Sequence, residues 1–404
     1  LIHSCSHSCH LFIIYQLGED GKLFRAISSL VLRNMLYYLL YDNGRNEFDK
    51  KAGIRLKYSF QNDYSEGAHP KLLKALNLAG SKQNTAYGND GHCKRAADLL
   101  RKEIGRKDVD IHFLEGGTQV NLTALTAFLR PHEAAIAAET GHIAGHESGS
   151  IEATGHKVCI TPGVNGKLTP EGILRVLAAH PDEHMVKPKL AYLSNSSECG
   201  TVYSKEELNA LHRCCRENRL YLYMDGARLG SALCASDLTM QDIGALTDAF
   251  YVGGTKNGAL LGEALVICNE TLKPDFRYIL KQRGGMLAKG FVLGAQFEAF
   301  FEDGLYYALA KHANHMADLL REAFRALGFR FFSDSPTNQV FPILSDALLE
   351  QLSKDYAFEA WGRVDAGHQA VRFVTSWATP EEIVREFIQD LHNYTASENP
   401  TKLL

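Results

Sequence analysis

The stretch LYLYMDGARLGSALCASDLTMQDIGALTDAFYVGGTKNGALLGEALVIC, residues 220–268, decides the fold. Its first apolar run, 220–224, stops at Asp225 in the turn Asp225-Gly226-Ala227-Arg228. The second, 249–252, stops at Gly253-Gly254-Thr255-Lys256, and a third, 264–268, follows. Short continuous apolar runs bounded by glycine predict buried strands. Ligands of open α/β sheets bind just past the carboxyl ends of such strands, so Asp225 and Lys256 are expected at one crevice.

A carboxylate beside a lysine is what a plain ion pair looks like. It is also what pyridoxal phosphate requires: a lysine for its Schiff base and an acid to keep the pyridinium nitrogen protonated. The pair alone does not choose between these readings.

Upstream, Ile111-His112-Phe113-Leu114-Glu115 reads as a strand running into Gly116-Gly117-Thr118-Gln119 and a helix to about 129. A strand, glycines and a helix start make an anion cradle, because free N–H groups and the helix dipole favour an oxyanion there. The dinucleotide pattern G-x-G-x-x-G is absent, so one phosphate fits better than two; an ordinary tight turn fits as well. Residues 134–138 form a short strand ending in Glu139-Thr140-Gly141-His142, with Glu147 a turn later. His142 is then either a surface group or a ring placed to stack on a flat heteroaromatic. Residues 189–193 are a further strand, leading into Ser194-Asn195-Ser196-Ser197-Glu198-Cys199-Gly200, and Ser204-Lys205-Glu206-Glu207 is a capping box opening a helix to about 217. Strands alternating with helices over 110–270 imply a mostly parallel sheet covered on both faces.

The globular body is expected to begin near Lys57. A polar loop at 60–67, a helix from His69-Pro70, the turn Tyr87-Gly88-Asn89-Asp90 and an amphipathic helix over 93–104 follow. From Phe291 a long helical segment reaches 327. Segments 329–332, 339–344 and 371–375 read as strands, and Thr379-Pro380-Glu381-Glu382 caps a last helix. The expected organisation is an N-terminal appendage (1–57), a large domain (58–290), a smaller α+β domain (291–394) and a tail (395–404).

In the appendage, three histidines and two cysteines lie between His3 and His10. Their spacing fits no zinc motif, so no metal is expected and the segment reads as leader or as sequence outside the working protein. The chain begins with Leu1. The apolar segment 26–40 is shorter than the ~18 to 20 residues of a membrane span. It is also poorly placed for a secretion signal. With 404 residues, 45% of them hydrophobic, the chain can bury a large core, and a net charge of −4 argues against nucleic-acid or membrane-surface partners. Nine cysteines without framework spacing point to reduced thiols and a cytoplasmic location.

Taken together, residues 57–394 resemble the threonine aldolase branch of the fold-type-I enzymes, the aspartate aminotransferase superfamily. Asn62-Asp63, Tyr87-Gly88-Asn89-Asp90, Gly116-Gly117-Thr118-Gln119-Val120-Asn121, His142, Asp225-Gly226-Ala227-Arg228 and Lys256 fall in the family's order. The resemblance implies a pyridoxal 5'-phosphate enzyme that cleaves a β-hydroxy-α-amino acid, threonine or allo-threonine, to glycine and an aldehyde. It makes Lys256 the Schiff-base lysine, Asp225 the partner of the pyridine nitrogen and His142 the stacking ring. Gly117, Thr118 and Gln119 would hold the phosphate. Arg228 would lie near the cofactor's O3′ side and the substrate carboxylate, and Arg372 would be the other carboxylate-binding arginine. Tyr87 resembles the tyrosine that a neighbouring subunit inserts, which implies a homodimer or homotetramer with shared sites. Two residues depart from the pattern: Glu198 stands near a position where the family has histidine, and Asn62 where it commonly has serine. Glu198, if partly buried, would serve as base, and if turned outward would be a loop residue. The other reactions open to this scaffold are β-elimination and transamination; binding the cofactor without catalysis is the remaining alternative.

Overall fold

The computed structural model describes residues 56–398. The His/Cys cluster at 3–10, the apolar segment 26–40 and residues 399–404 lie outside the described residues.

Thirteen strands occur among the described residues: β1 (Tyr58–Ser59), β2 (Asp110–Leu114), β3 (Glu133–Ala138), β4 (Val158–Thr161), β5 (Lys187–Ser194), β6 (Tyr221–Asp225), β7 (Ala249–Gly253), β8 (Glu263–Ile267), β9 (Phe331–Ser333), β10 (Gln339–Ser345), β11 (Tyr356–Ala357), β12 (Glu359–Arg363) and β13 (His368–Val374). β2 to β8 make one sheet in the order β2-β8-β7-β6-β5-β3-β4. β7, β6, β5, β3 and β4 pair in parallel. β8 runs against both of its neighbours, β7 and β2. The start of β8 therefore lies on the same rim as the carboxyl ends of the other six strands.

The sheet is buried on both faces, as its unbroken apolar runs require. Leu222 and Met224 of β6, with Phe250 and Val252 of β7, enter one core cluster. Their alternates Tyr223, Ala249 and Tyr251 enter the other, on the side of the helix Gly117–Phe128. The helix Lys205–Glu217 starts at the expected capping box: Ser204 accepts from the Glu207 N–H while the Glu207 carboxylate accepts from the Ser204 N–H. The edge strand β4 is not among the expected strands: its apolar run, 158–160, is only three residues long.

The segment expected as one helix from 291 to 327 is two, Phe291–Phe301 and Leu305–Ala326, divided at Gly304, whose φ of +76° suits glycine. Phe297 and Phe300 of the first helix belong to the core of the large sheet. The second helix continues into a separate core beneath the antiparallel sheet β12-β13-β10-β9. Phe60 is fully buried in that C-terminal core, 5.4 Å from the ring of Phe387, and β1 pairs with β11. The segment from Tyr58 thus packs with the C-terminal elements, while Phe297 and Phe300, beyond residue 290, pack with the large sheet.

Candidate active site

The ends of β2, β3, β5, β6 and β7 with the turns after them, the start of β8, and residues of β12 and β13 line a cavity of about 440 Å3 on the sheet rim. β6 delivers Asp225 and β7 leads to Lys256. The crossing of these two ends depends on glycine: a Cβ on Gly226 would lie 1.8 Å from the Tyr251 carbonyl oxygen. The turn bearing Lys256 is pinned to β8 from both sides. Gly254 N–H and Thr255 N–H donate to the Gly262 carbonyl (3.0 and 3.1 Å), and Gly254 N–H also reaches Glu263 Oε2 (2.8 Å). Lys256, Asp225, His142, Glu198, Arg228 and Arg372 all line this one cavity, as do Gly117 and Thr118.

Four donors converge on buried Asp225. Tyr251 OH (2.5 Å) and the Ala227 N–H (3.0 Å) reach Oδ1, while Tyr192 OH (2.7 Å) and Asn121 Nδ2 (2.9 Å) reach Oδ2. Burial pushes this acid up, but the His142 charge and the hydrogen bonds outweigh it, so Asp225 stays below the usual carboxylate range. Asn121 Nδ2 also donates to Glu147 Oε1 (2.7 Å), which holds His142 Nδ1 at 2.8 Å. For His142, burial lowers the imidazole's pKa, yet the Glu147 hydrogen bond and the Asp225 and Glu147 charges raise it above its ordinary value. Lys256 moves the other way: burial and then the Arg228 charge lower it, against the pull of Asp63, Asp225 and Glu263.

Glu198 turns inward. Its Oε1 accepts from Ser194 Oγ (2.7 Å) and from the His142 N–H (2.8 Å), and burial raises its pKa despite the Ser194 bond. Arg228 is committed to Asp63, with Nε to Oδ2 at 2.7 Å and Nη2 to Oδ1 at 3.0 Å. Arg372 donates to Gln339 Oε1 (3.1 Å) and to Glu359, and its guanidinium lies 5.3 Å from the Trp361 ring.

Three expected site residues lie outside the cavity lining. Gln119 points to the Arg283 carbonyl oxygen (2.8 Å). Asn62 caps its own loop through the Tyr64 N–H (3.0 Å) and Ser65 Oγ (2.9 Å). Tyr87 sits at φ +61° on another face, its carbonyl held by Arg277 (3.0 Å) and its ring under the Lys281 ammonium at 4.5 Å.

With this geometry fixed, the sequence profile of the family described as Beta-eliminating lyase matches residues 67–347. The chain belongs to the beta-eliminating lyase family. Among its relatives, a low specificity L-threonine aldolase of a Pseudomonas species is 34% identical over 82% of this chain and 96% of its own length. One from Saccharomyces cerevisiae is 25% identical over 68% and 70%. The solved structure of a threonine aldolase of Leishmania major superposes with a TM-score of 0.83 at 46% identity, covering 84% of this chain and all of that one. A Thermus thermophilus aspartate aminotransferase, at TM-score 0.66 and 18% identity over 88% and 96%, shares the fold.

Within this beta-eliminating lyase, several residues at the site had no signal in the sequence. Tyr192 and Tyr251 read as apolar strand filler, and only the sheet shows that their hydroxyls meet Asp225. Glu263, buried beside the lysine turn and pushed up to about 7 by burial, carried no motif. Glu359 and Trp361 sit on β12, which has no alternation to reveal it.

Proposed function

We propose that this chain is a pyridoxal-phosphate-dependent lyase that cleaves a β-hydroxy-α-amino acid, L-threonine or L-allo-threonine, to glycine and an aldehyde. The observation that carries the reading is a single cavity in which an ionised Asp225 and a Lys256 of lowered pKa face each other across about 440 Å3. The names borne by the relatives point to the same reaction.

The residues fit the cofactor. The helix Gly117–Phe128 begins without a side-chain cap, leaving its first N–H groups for a phosphate. Ser196 Oγ is buried in the same wall with no hydrogen-bond partner. Bound there, pyridoxal phosphate supplies an aldehyde that joins amines and a pyridinium ring that draws electrons from the substrate's α-carbon.

The chain's own groups then divide the work. Asp225, kept ionised, would hold the ring nitrogen protonated. Lys256, its pKa lowered, would hold the cofactor's aldehyde through its side-chain amine. His142, braced by Glu147, would lie against the ring, and Gly117 and Thr118 would hold the phosphate. Arg372 fixes the substrate carboxylate, which turns the Cα–Cβ bond toward cleavage. Glu198 takes the β-hydroxyl proton; a base of raised pKa is matched to a reaction near neutrality. As that proton leaves, the Cα–Cβ bond breaks and the aldehyde departs, and a proton returned to the α-carbon completes glycine.

A homo-oligomer with shared sites is part of the proposal, because Tyr87 is held in a fixed, half-exposed pose away from its own chain's cavity. A cytoplasmic location is supported by seven free cysteines among the described residues. No described helix is long and apolar enough to cross a membrane.

Supplying L-threonine and L-allo-threonine to the holoenzyme, with glycine and acetaldehyde assayed beside 2-oxobutanoate, ammonia and amino-group transfer to an added 2-oxo acid, tests the reaction. The proposal expects the first pair of products; 2-oxobutanoate with ammonia and no glycine would make β-elimination the reaction, and amino-group transfer without glycine would make it transamination.

A further inference from the structure

The corner of the cavity around Arg372 is already occupied by an acid of the same chain. Glu359 and Arg372 stand directly opposite each other on β12 and β13, and their side chains form an ion pair through Arg372 Nη2. Arg372 Nη1 is taken by Gln339 Oε1, while its Nε is buried without a partner. The Nε–Nη2 edge of a guanidinium is the side that grips a carboxylate with two parallel hydrogen bonds. Here one half of that edge holds Glu359 and the other half holds nothing. The second arginine of the cavity offers no substitute, because its own Nε–Nη2 edge is closed by Asp63, which is 1% exposed.

The two members of the pair differ in their freedom to leave. The Arg372 side chain is 14% exposed and lies against Trp361, whereas that of Glu359 is 45% exposed. Releasing Glu359 puts an acid into water that it already half contacts, and no buried charge is stranded if another carboxylate replaces it.

We propose that Glu359 is a displaceable stand-in for the substrate's carboxylate, so that an α-amino acid enters by exchanging its own carboxylate for Glu359 on Arg372. The incoming group takes both Nε and Nη2, satisfies the buried Nε, and swings Glu359 outward. An amine that lacks a carboxylate cannot make this exchange. Glu359 thus selects α-amino acids over simple amines by competing with the group that defines them. The inference rests on the lyase reading for the identity of the ligand, and its test is independent of turnover.

The test is calorimetric titration of the holoenzyme with glycine and, separately, with ethanolamine, for the native chain, Glu359→Gln and Glu359→Asp. Removing the competing charge should tighten glycine about twofold to fivefold, the range expected for loss of a half-exposed ion pair, and leave ethanolamine unchanged. Glu359→Asp, too short to keep the same contact, should shift glycine in the same direction. Unchanged or weaker glycine binding in Glu359→Gln would overturn the proposal, since Glu359 would then only brace Arg372. An equal gain for ethanolamine, or no glycine binding by any of the three proteins, would overturn it as well. Tighter glycine binding without threonine cleavage would leave the exchange standing and remove the lyase reaction; cleavage without the affinity gain would do the reverse.

Discussion

The two ends of the cavity are built on opposite terms. At the Asp225 end every contact is in place before any ligand arrives: four donors meet one acid, and a chain of hydrogen bonds runs on through Asn121 and Glu147 to His142. At the Arg372 end the polar groups are short of partners, with Arg372 Nε and Gln339 Nε2 both buried and unbonded. The first end rests on the middle of a sheet buried on both faces, the second on the small antiparallel sheet. The difference matches what each end would hold. A resident ring needs a fixed charge and a fixed plane, whereas a substrate that comes and goes needs groups whose pairing is completed only when it is there.

Substitutions should separate the two ends by what they damage. Asp225→Asn carries the largest effect: kcat/KM should fall on the order of 10^3-fold. Stability should fall with it by about 1–3 kcal/mol, because buried donors now face an amide NH2. Full activity, or a melting temperature equal to the native one, would break the contrast at its stronger end. Glu198→Gln comes next, with kcat lower by about 10^2-fold while glycine still binds. In the native chain kcat/KM should climb as Glu198 ionises through its raised pKa, and the variant's profile should lose that limb.

Arg372→Lys belongs to the open end. Loss of the two-point grip should raise KM for threonine by about tenfold, the equivalent of ~1.4 kcal/mol, with the melting temperature kept. A fall in stability as large as that of Asp225→Asn would show the two ends to be alike. The smallest effect is a dependence of stability on pH at Glu263. Its carboxyl holds its proton more tightly in the fold, with a pKa of about 7, than in the unfolded chain. Stability should therefore fall as pH rises from the ordinary carboxylate range to about 7. Glu263→Gln should remove that slope and melt slightly above the native chain at pH 8. Asp225 has the opposite sign: its contribution is present above the ordinary carboxylate range and lost as pH falls through its depressed value.

The same contrast explains what could be read from sequence. β6 and β7 were legible because strands buried on both faces spell unbroken apolar runs, and the glycines after them mark turns that tolerate no Cβ. Asp225, Lys256, His142 and Arg228 followed from the strand ends and the family's motif order. Tyr192 and Tyr251 stayed hidden since a tyrosine inside a strand reads as apolar bulk until the neighbouring strand gives its hydroxyl a partner. The Glu359–Trp361 segment was missed because β12 is an edge strand, mostly exposed, with an irregular register between Ala360 and Gly362. Glu198 was the mixed case: the sequence found the departure, and its direction into the cavity came from Ser194 and the His142 N–H.

The central claim is that Lys256 and Asp225 hold the two ends of one aromatic aldehyde. Borohydride reduction of the purified protein loaded with pyridoxal phosphate, followed by peptide mass mapping, tests it most directly. The account predicts a single reduced pyridoxyl adduct on Lys256, absent from Lys256→Ala and released from the lysine when threonine is added before reduction. An adduct on another lysine, or no adduct at all, would contradict it.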